Sequence, residues 1–164
     1  MDSTCDKIRH ILLGLDDKKV LDVIDMYRRH YITGLLQRHD FMCSLSSNLR
    51  SFKYVYFVDV VGLHNVNRKQ GYKAGDDILK RTSDILLKTF PNGDVFHTGG
   101  DEFFVINDDK INMDEYGDLF TYSCVNICYY DNTESVLKDL DDTMILKKSN
   151  LYRRKNDKKD DYGI

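Results

Sequence analysis

The chain has 164 residues, a formal charge of −3 and no long low-complexity stretch, so it presents neither the basic balance of a nucleic-acid binder nor an apolar run long enough to span a membrane. With 41% hydrophobic and 31% charged residues, its composition suits one globular domain with a sizeable core. The opening Met1-Asp2-Ser3-Thr4 does not start a signal peptide, so a cytoplasmic protein without membrane insertion is expected.

In chain order, a short helix is expected over residues 4–13, ended near Gly14. A second, over residues 16–31, places Val20, Ile24, Tyr27 and Tyr31 on one face, with Asp16 or Asp17 near its N-terminus. Thr33-Gly34 breaks that pattern, and a third helix is expected over 37–49. The run Tyr54-Val55-Tyr56-Phe57-Val58 is β-prone and nearly all apolar, as in a strand buried on both faces, and Asp59 ends it. Gly71 and Gly75 punctuate the chain before a helix over 76–90, which Pro91-Asn92-Gly93 stops. Strands are expected at 94–98, 103–106 and 122–129, a polar loop at 107–110 and a last helix at 135–151. The rest is a charged tail. Cys5, Cys43, Cys124 and Cys128 form no Cys-x-x-Cys pair, and Cys124 and Cys128 would share a strand face as reduced core thiols. The order implies an α+β fold, an antiparallel-rich sheet with helices mainly on one face.

Gly99-Gly100-Asp101-Glu102-Phe103 is the segment richest in chemistry. Two glycines between short strands read as a hairpin tip that a bulky anion can approach closely. The carboxylates beside them suit a hard cation such as Mg²⁺. Asp59 ends another strand, where an isolated carboxylate is costly unless it is paired, metal-bound or exposed at a site. If the two strands are neighbours, Asp59 and Asp101 reach one edge of the sheet. Phosphoryl and nucleotidyl transfer needs in-line positioning and neutralised charge there.

These five residues spell the signature of GGDEF domains, the catalytic modules of diguanylate cyclases, and the chain resembles that family over about residues 30–150. Ile32-Thr33-Gly34-Leu35-Leu36-Gln37-Arg38-His39-Asp40-Phe41 is similar to the family's opening Leu-Thr-Gly-Leu-x-Asn-Arg-Arg-x-Phe. Asp59, Asn67, Gly71, Gly75, Asp76 and Leu79 stand at the family's spacing. The resemblance implies a palm-like fold, a central antiparallel-rich sheet with flanking helices. It divides the chain into an N-terminal helical extension (1–28), a catalytic domain (29–151) and a charged C-terminal tail (152–164). It also implies Asp59, Asp101 and Glu102 as catalytic residues, with Glu102 helping to activate the attacking 3′-hydroxyl. Asp59, the Val60 carbonyl and Asp101 would hold Mg²⁺, with Mn²⁺ as a substitute. Gly99 and Gly100 would pass the triphosphate, Asn67 and Asp76 would contact the nucleobase, and Lys147 or Lys148 would reach the phosphates.

The chain departs from the family's pattern at several places. Val61 replaces an acid, His64 a lysine, Arg68 an acid, Tyr72 a histidine and His97 an arginine. The Arg-x-x-Asp of the product-inhibition site has no counterpart, and the stretch between Ile106 and Tyr122 is short. This trimmed architecture is also similar to the minimal CRISPR polymerases, relatives that make cyclic adenine dinucleotides in antiphage defence. The expectation is therefore a nucleotidyltransferase that condenses two purine NTPs into a cyclic dinucleotide second messenger with release of pyrophosphate. It leans to ATP and c-di-AMP in antiphage signalling. The alternatives are a diguanylate cyclase making c-di-GMP from GTP and a non-catalytic nucleotide receptor. The partners expected are a second copy of the chain in a homodimer and a downstream cyclic-dinucleotide effector, with no nucleic acid.

Overall fold

A computed structural model describes residues 17–47 and 52–160, with Asp17 and residues 151–160 as backbone alone. The helix expected at 4–13 lies outside these residues, as does Cys5. Four strands, β1 (Tyr54–Val60), β2 (Asp94–Gly99), β3 (Glu102–Asn107) and β4 (Phe120–Asn126), form one sheet in the order β2-β3-β1-β4. Every neighbouring pair is antiparallel. The helices are α1 (Asp17–Arg28), α2 (Arg38–Ser47), α3 (Leu63–Gln70), α4 (Tyr72–Thr89) and α5 (Thr133–Asp160). The fold is α+β, as expected.

The helices cover both faces of the sheet, which corrects the expectation of one. Successive strand side chains point to opposite faces. Tyr56, Val58, Phe103 and Val105 therefore pack against Leu63 of α3 and Leu79 and Leu86 of α4. Val55, Phe57, Phe104 and Ile106 pack against Phe41 and Leu45 of α2 and Val136 and Leu140 of α5. This two-sided burial is why β1 reads as continuous apolar sequence, and each such side chain contributes about 1.5–3 kcal/mol.

Several boundaries move. Helix α1 stops at Arg28, so Tyr31 lies beyond it, and the chain turns back there: Arg28 donates to the Asp40 carboxylate, and the Gln37 amide donates to the carbonyls of Tyr27 and Arg29. Helix α3 went unanticipated, because only Leu63 of its eight residues is buried and no apolar period marks it. Gly71 ends α3 with φ 86°, and α4 begins at Tyr72. Gly75 is thus inside a helix, not punctuation. Strand β4 ends at Asn126, where the Asn126 side chain accepts from the Cys128 N–H and caps a 3₁₀ turn, Ile127–Tyr129. Cys128 is exposed on that turn and shares no strand face with Cys124. Helix α5 runs on to Asp160, through most of the segment read as a charged tail. Among the described residues no helix is long and apolar enough to cross a membrane.

Candidate active site

Strands β1 and β3 are direct neighbours, with Asp59 opposite Glu102. The turn between β2 and β3 needs its glycines, since φ is 134° at Gly99 and 57° at Gly100, values that side chains disfavour. Within it, the Asp101 carbonyl accepts from the Val60 N–H at 2.9 Å, which ties the hairpin tip to the end of β1. Asp59, Asp101 and Glu102 thus share one edge of the sheet.

The electrostatics of that edge are those of crowded acids. Burial pushes the Asp59 carboxyl above its ordinary value, the Lys148 ammonium 2.7 Å from its Oδ2 pulls it back, and the charge of Asp101 pushes it up again. Glu102 is also raised, first by burial and then by Asp101 and Asp59, with Arg38 opposing. A cavity of about 580 Å³ opens beside them, lined by Asp59, Asp101, Val60, His64 and Lys148. Its far wall is Asp114, Glu115 and Asp118, from the short β3–β4 connection, which holds only a 3₁₀ turn (Asp114–Tyr116). Sequence reasoning did not assign these three acids to the site. Their carboxylates stand in a segment with no periodic pattern, and only the fold brings it to the cavity.

The two lysine candidates part company here. Lys148 reaches Asp59, whereas the Lys147 ammonium lies 4.1 Å from the centre of the Tyr122 ring and lines an adjoining cleft of about 450 Å³ that shares Asp114, Gly117 and Thr121 with the cavity. Asn67 and Asp76 fall on facing helices, α3 and α4, outside the lining of the 580 Å³ cavity. The Asn67 Oδ1 is buried without a hydrogen-bond partner, and it sits against Gly75, where an added Cβ would lie 1.9 Å from it. Asp76 lies near His30, an imidazole whose pKa is lowered by burial and raised in part by that carboxylate. Gly99, Gly100 and Glu102 border the turn without lining the cavity.

His97 is fully buried on β2, stacked on Phe103 at 4.2 Å and tilted against the His30 ring at 3.7 Å. Its pKa is lowered to about 4, first by burial and then by the neighbouring His30, against the raising effects of the Gly100 carbonyl and Asp101. The unfolded chain takes up this proton near pH 6.5 and the folded one only near 4, so His97 favours folding above pH 6.5 and loses that contribution as the pH falls. The loss should reach about 2 kcal/mol by pH 5 and about 3 by pH 4. Urea midpoints of the parent and His97→Gln, compared from pH 7 to 4.5, should converge or cross as the pH drops; parallel curves would contradict the burial of a neutral ring.

The family described as "Diguanylate cyclase, GGDEF domain" matches residues 30–119. The diguanylate cyclase DgcS of Shewanella oneidensis is 34% identical over 82 residues, which cover 46% of this chain and 28% of that protein. An uncharacterized membrane protein of Staphylococcus aureus strain USA300 is 31% identical over 83 residues, 46% of this chain and 23% of its own length. The chain therefore spans under a third of the curated relatives it matches. Among solved structures, the S helix-GGDEF-EAL segment of Vibrio cholerae LapD bound to c-di-GMP superposes with a TM-score of 0.69 at 18% identity, over 82% of this chain and 37% of that one. The diguanylate cyclase/phosphodiesterase of Caldicellulosiruptor saccharolyticus gives 0.65 at 17% identity, over 78% and 91%. At these identities the likeness speaks for the fold alone.

Proposed function

The chain belongs to the diguanylate cyclase GGDEF-domain family, and we propose that it is a nucleotidyltransferase that condenses two GTP molecules into c-di-GMP. The observation that carries this reading is the meeting of Asp59 and Asp101, on neighbouring strand ends, in one cavity with Lys148. Each 3′-hydroxyl would attack the other nucleotide's α-phosphate and break its bond to the β-phosphate oxygen, so that two pyrophosphates leave. Glu102, held with a raised pKa beside the two acids, is the candidate to accept the hydroxyl proton.

The donor set fits a divalent cation. The cavity is lined by five carboxylates against one lysine, so a triphosphate meets net repulsion there unless cations accompany it. Among the described residues no group of three or more His, Cys, Asp or Glu side chains could hold a metal by itself. Mg²⁺ in nucleotide enzymes takes one or two carboxylates and completes its shell with water and phosphate oxygens, and Asp59 and Asp101 offer two carboxylates here. Asp59, Asp101 and the Val60 carbonyl are the proposed ligands, and the cation, with Mn²⁺ as a substitute, would supply charge neutralisation on the phosphates.

Lys148 is the proposed phosphate contact. It rests on Asp59, and a triphosphate with its own cation offers the ammonium a second anion within the same cavity. Lys148→Ala should raise KM for the nucleotide about tenfold, as loss of one charged hydrogen bond does, while Lys147→Ala stays within about threefold. Initial rates of pyrophosphate release check both.

For the base, the Asn67 amide has its oxygen turned in on Gly75, which leaves its NH₂ to donate to guanine O6. The Asp76 carboxylate can accept from guanine N1–H and the exocyclic amine together, whereas adenine offers it one amine. The ATP reading draws on Arg68 and Tyr72, exposed residues beside that pair. Incubation with all four NTPs and Mg²⁺, with products resolved by mass, decides: c-di-GMP supports the proposal. Cyclic di-AMP would favour the minimal CRISPR polymerase-like role in antiphage signalling. No pyrophosphate from any NTP would leave a nucleotide receptor.

Because each site holds one nucleotide, the reaction needs two copies face to face, and a homodimer is part of the proposal. Helix α1 carries exposed Leu21, Ile24, Met26 and Tyr27, an apolar surface available to a second copy. Residues 29–151 are the proposed catalytic domain, working in the cytoplasm and serving a cyclic-dinucleotide effector.

A further inference from the structure

The hairpin turn is Gly100-Asp101, between the paired residues Gly99 and Glu102, and its conformation is set by what holds its carbonyls. Two groups do so. The Val60 N–H donates to the Asp101 carbonyl at 2.9 Å, and the His97 Nε2 lies 3.2 Å from the Gly100 carbonyl. The other ring nitrogen, Nδ1, lies 3.1 Å from Thr33 Oγ1. A carbonyl can only accept, so Nε2 carries the proton and Nδ1 accepts from the threonine hydroxyl. Both polar atoms of a buried ring are thereby spent on two separate segments, the one before α2 and the hairpin tip.

A ring wanted only for packing would not need those nitrogens. His97 is clamped between Phe103 and His30, and an all-carbon ring would stack there without burying two polar atoms. The backbone N–H of His97 donates to the Leu36 carbonyl at 2.9 Å, so the strand that bears the ring is itself fixed to the segment preceding α2. The register slips between His97 and Gly99, so the ladder alone does not hold the turn. Without the imidazole the Gly100 carbonyl loses its bond, and Gly100, with the torsional freedom of glycine, directly precedes Asp101.

The geometry points to His97, braced by Thr33, as a positioning residue that fixes the Gly100-Asp101 turn and thereby the placement of Asp101 toward Asp59. It rests on the reading of Asp101 as a site acid. A displacement of about 1 Å can cost on the order of 10²-fold in rate, so one hydrogen bond to the turn is enough to matter.

The test compares the full chain with His97→Phe, His97→Gln and Thr33→Val. Phenylalanine keeps the stack and removes both hydrogen bonds. Glutamine offers an NH₂ to Gly100 and an oxygen to Thr33. His97→Phe should lower kcat about tenfold or more with KM within about twofold, His97→Gln should recover kcat to within about threefold, and Thr33→Val should fall between. Amide exchange at Val60, whose N–H is bonded to the turn, should quicken in His97→Phe and not in His97→Gln. A phenylalanine variant with unchanged kcat, or a glutamine variant as impaired as it, would overturn the assignment; so would Val60 exchange that ignores both. If the parent makes no cyclic dinucleotide, it is the proposed function that falls, and the Val60 exchange series still decides whether His97 holds the turn.

Discussion

Asp59→Asn should lower cyclic dinucleotide formation by about 10³-fold and leave the fold at least as stable as the parent. The two halves of that expectation come from the same carboxylate. Asp59 is held near the end of the central strand by pairing on both sides, to Glu102 and to Thr121, so asparagine of the same shape keeps the backbone where it is. What asparagine removes is charge. Burial and Asp101 work against that charge, and Lys148 is its compensating partner. Relieving a mostly buried carboxylate crowded by another acid costs the fold little, and Lys148 is 39% exposed, enough to be solvated by water once its partner is gone. The attacked α-phosphate, by contrast, needs the anion that would hold its accompanying cation. Thermal melts and product yields measured on one preparation check the expectation. An asparagine variant that melts as the parent does and still makes more than about a tenth of the product would remove Asp59 from the catalytic set.

The acids were legible in the sequence because they stand at ends of the strongest local patterns. Tyr54-Val55-Tyr56-Phe57-Val58 can hardly be anything but a buried strand, and a glycine pair followed by two acids marks a turn before another one. Their adjacency was a condition in the sequence and is a register in the structure, Asp59 opposite Glu102. Features with no local period were invisible. Helix α3 hides because seven of its eight residues are at least partly exposed. The acids of the 3₁₀ turn reach the cavity only through the crossing from β3 to β4. The role of His97 escaped for another reason: its partners, Thr33 and Gly100, are brought together by an opening segment and a hairpin tip far apart in sequence. The expectation of helices mainly on one face fails for a reason the sequence itself carries, since a strand apolar on both faces requires cover on both.

Gly75 is the position where helix packing meets the Asn67 amide proposed to read the base. Read as a break between elements, it lies buried inside α4, and its missing side chain is what lets α3 approach. A Cβ there would stand 1.9 Å from the Asn67 Oδ1, 2.9 Å from its Cγ and 3.2 Å from Leu63 Cδ1. The first two atoms belong to the end of a side chain that can rotate away. The third needs only a small shift. Alanine also favours the helix by about 1 kcal/mol over glycine, which offsets much of the crowding. Gly75→Ala should therefore melt within a few degrees of the parent while Asn67 swings out of place. Asp76, on the next position of the same helix, stays. A base that lost the amide and kept the carboxylate would bind about tenfold more weakly, and discrimination between GTP and ATP would shrink with it, because a purine's carbonyl or amine is then read by one group in place of two. The measurement is KM for GTP and ATP in Gly75→Ala and in Asn67→Ala. Matching losses in the two variants would identify the glycine as the seat of the base-reading amide. A Gly75→Ala enzyme with unchanged KM beside an impaired Asn67→Ala would show that the amide finds its base without that seat.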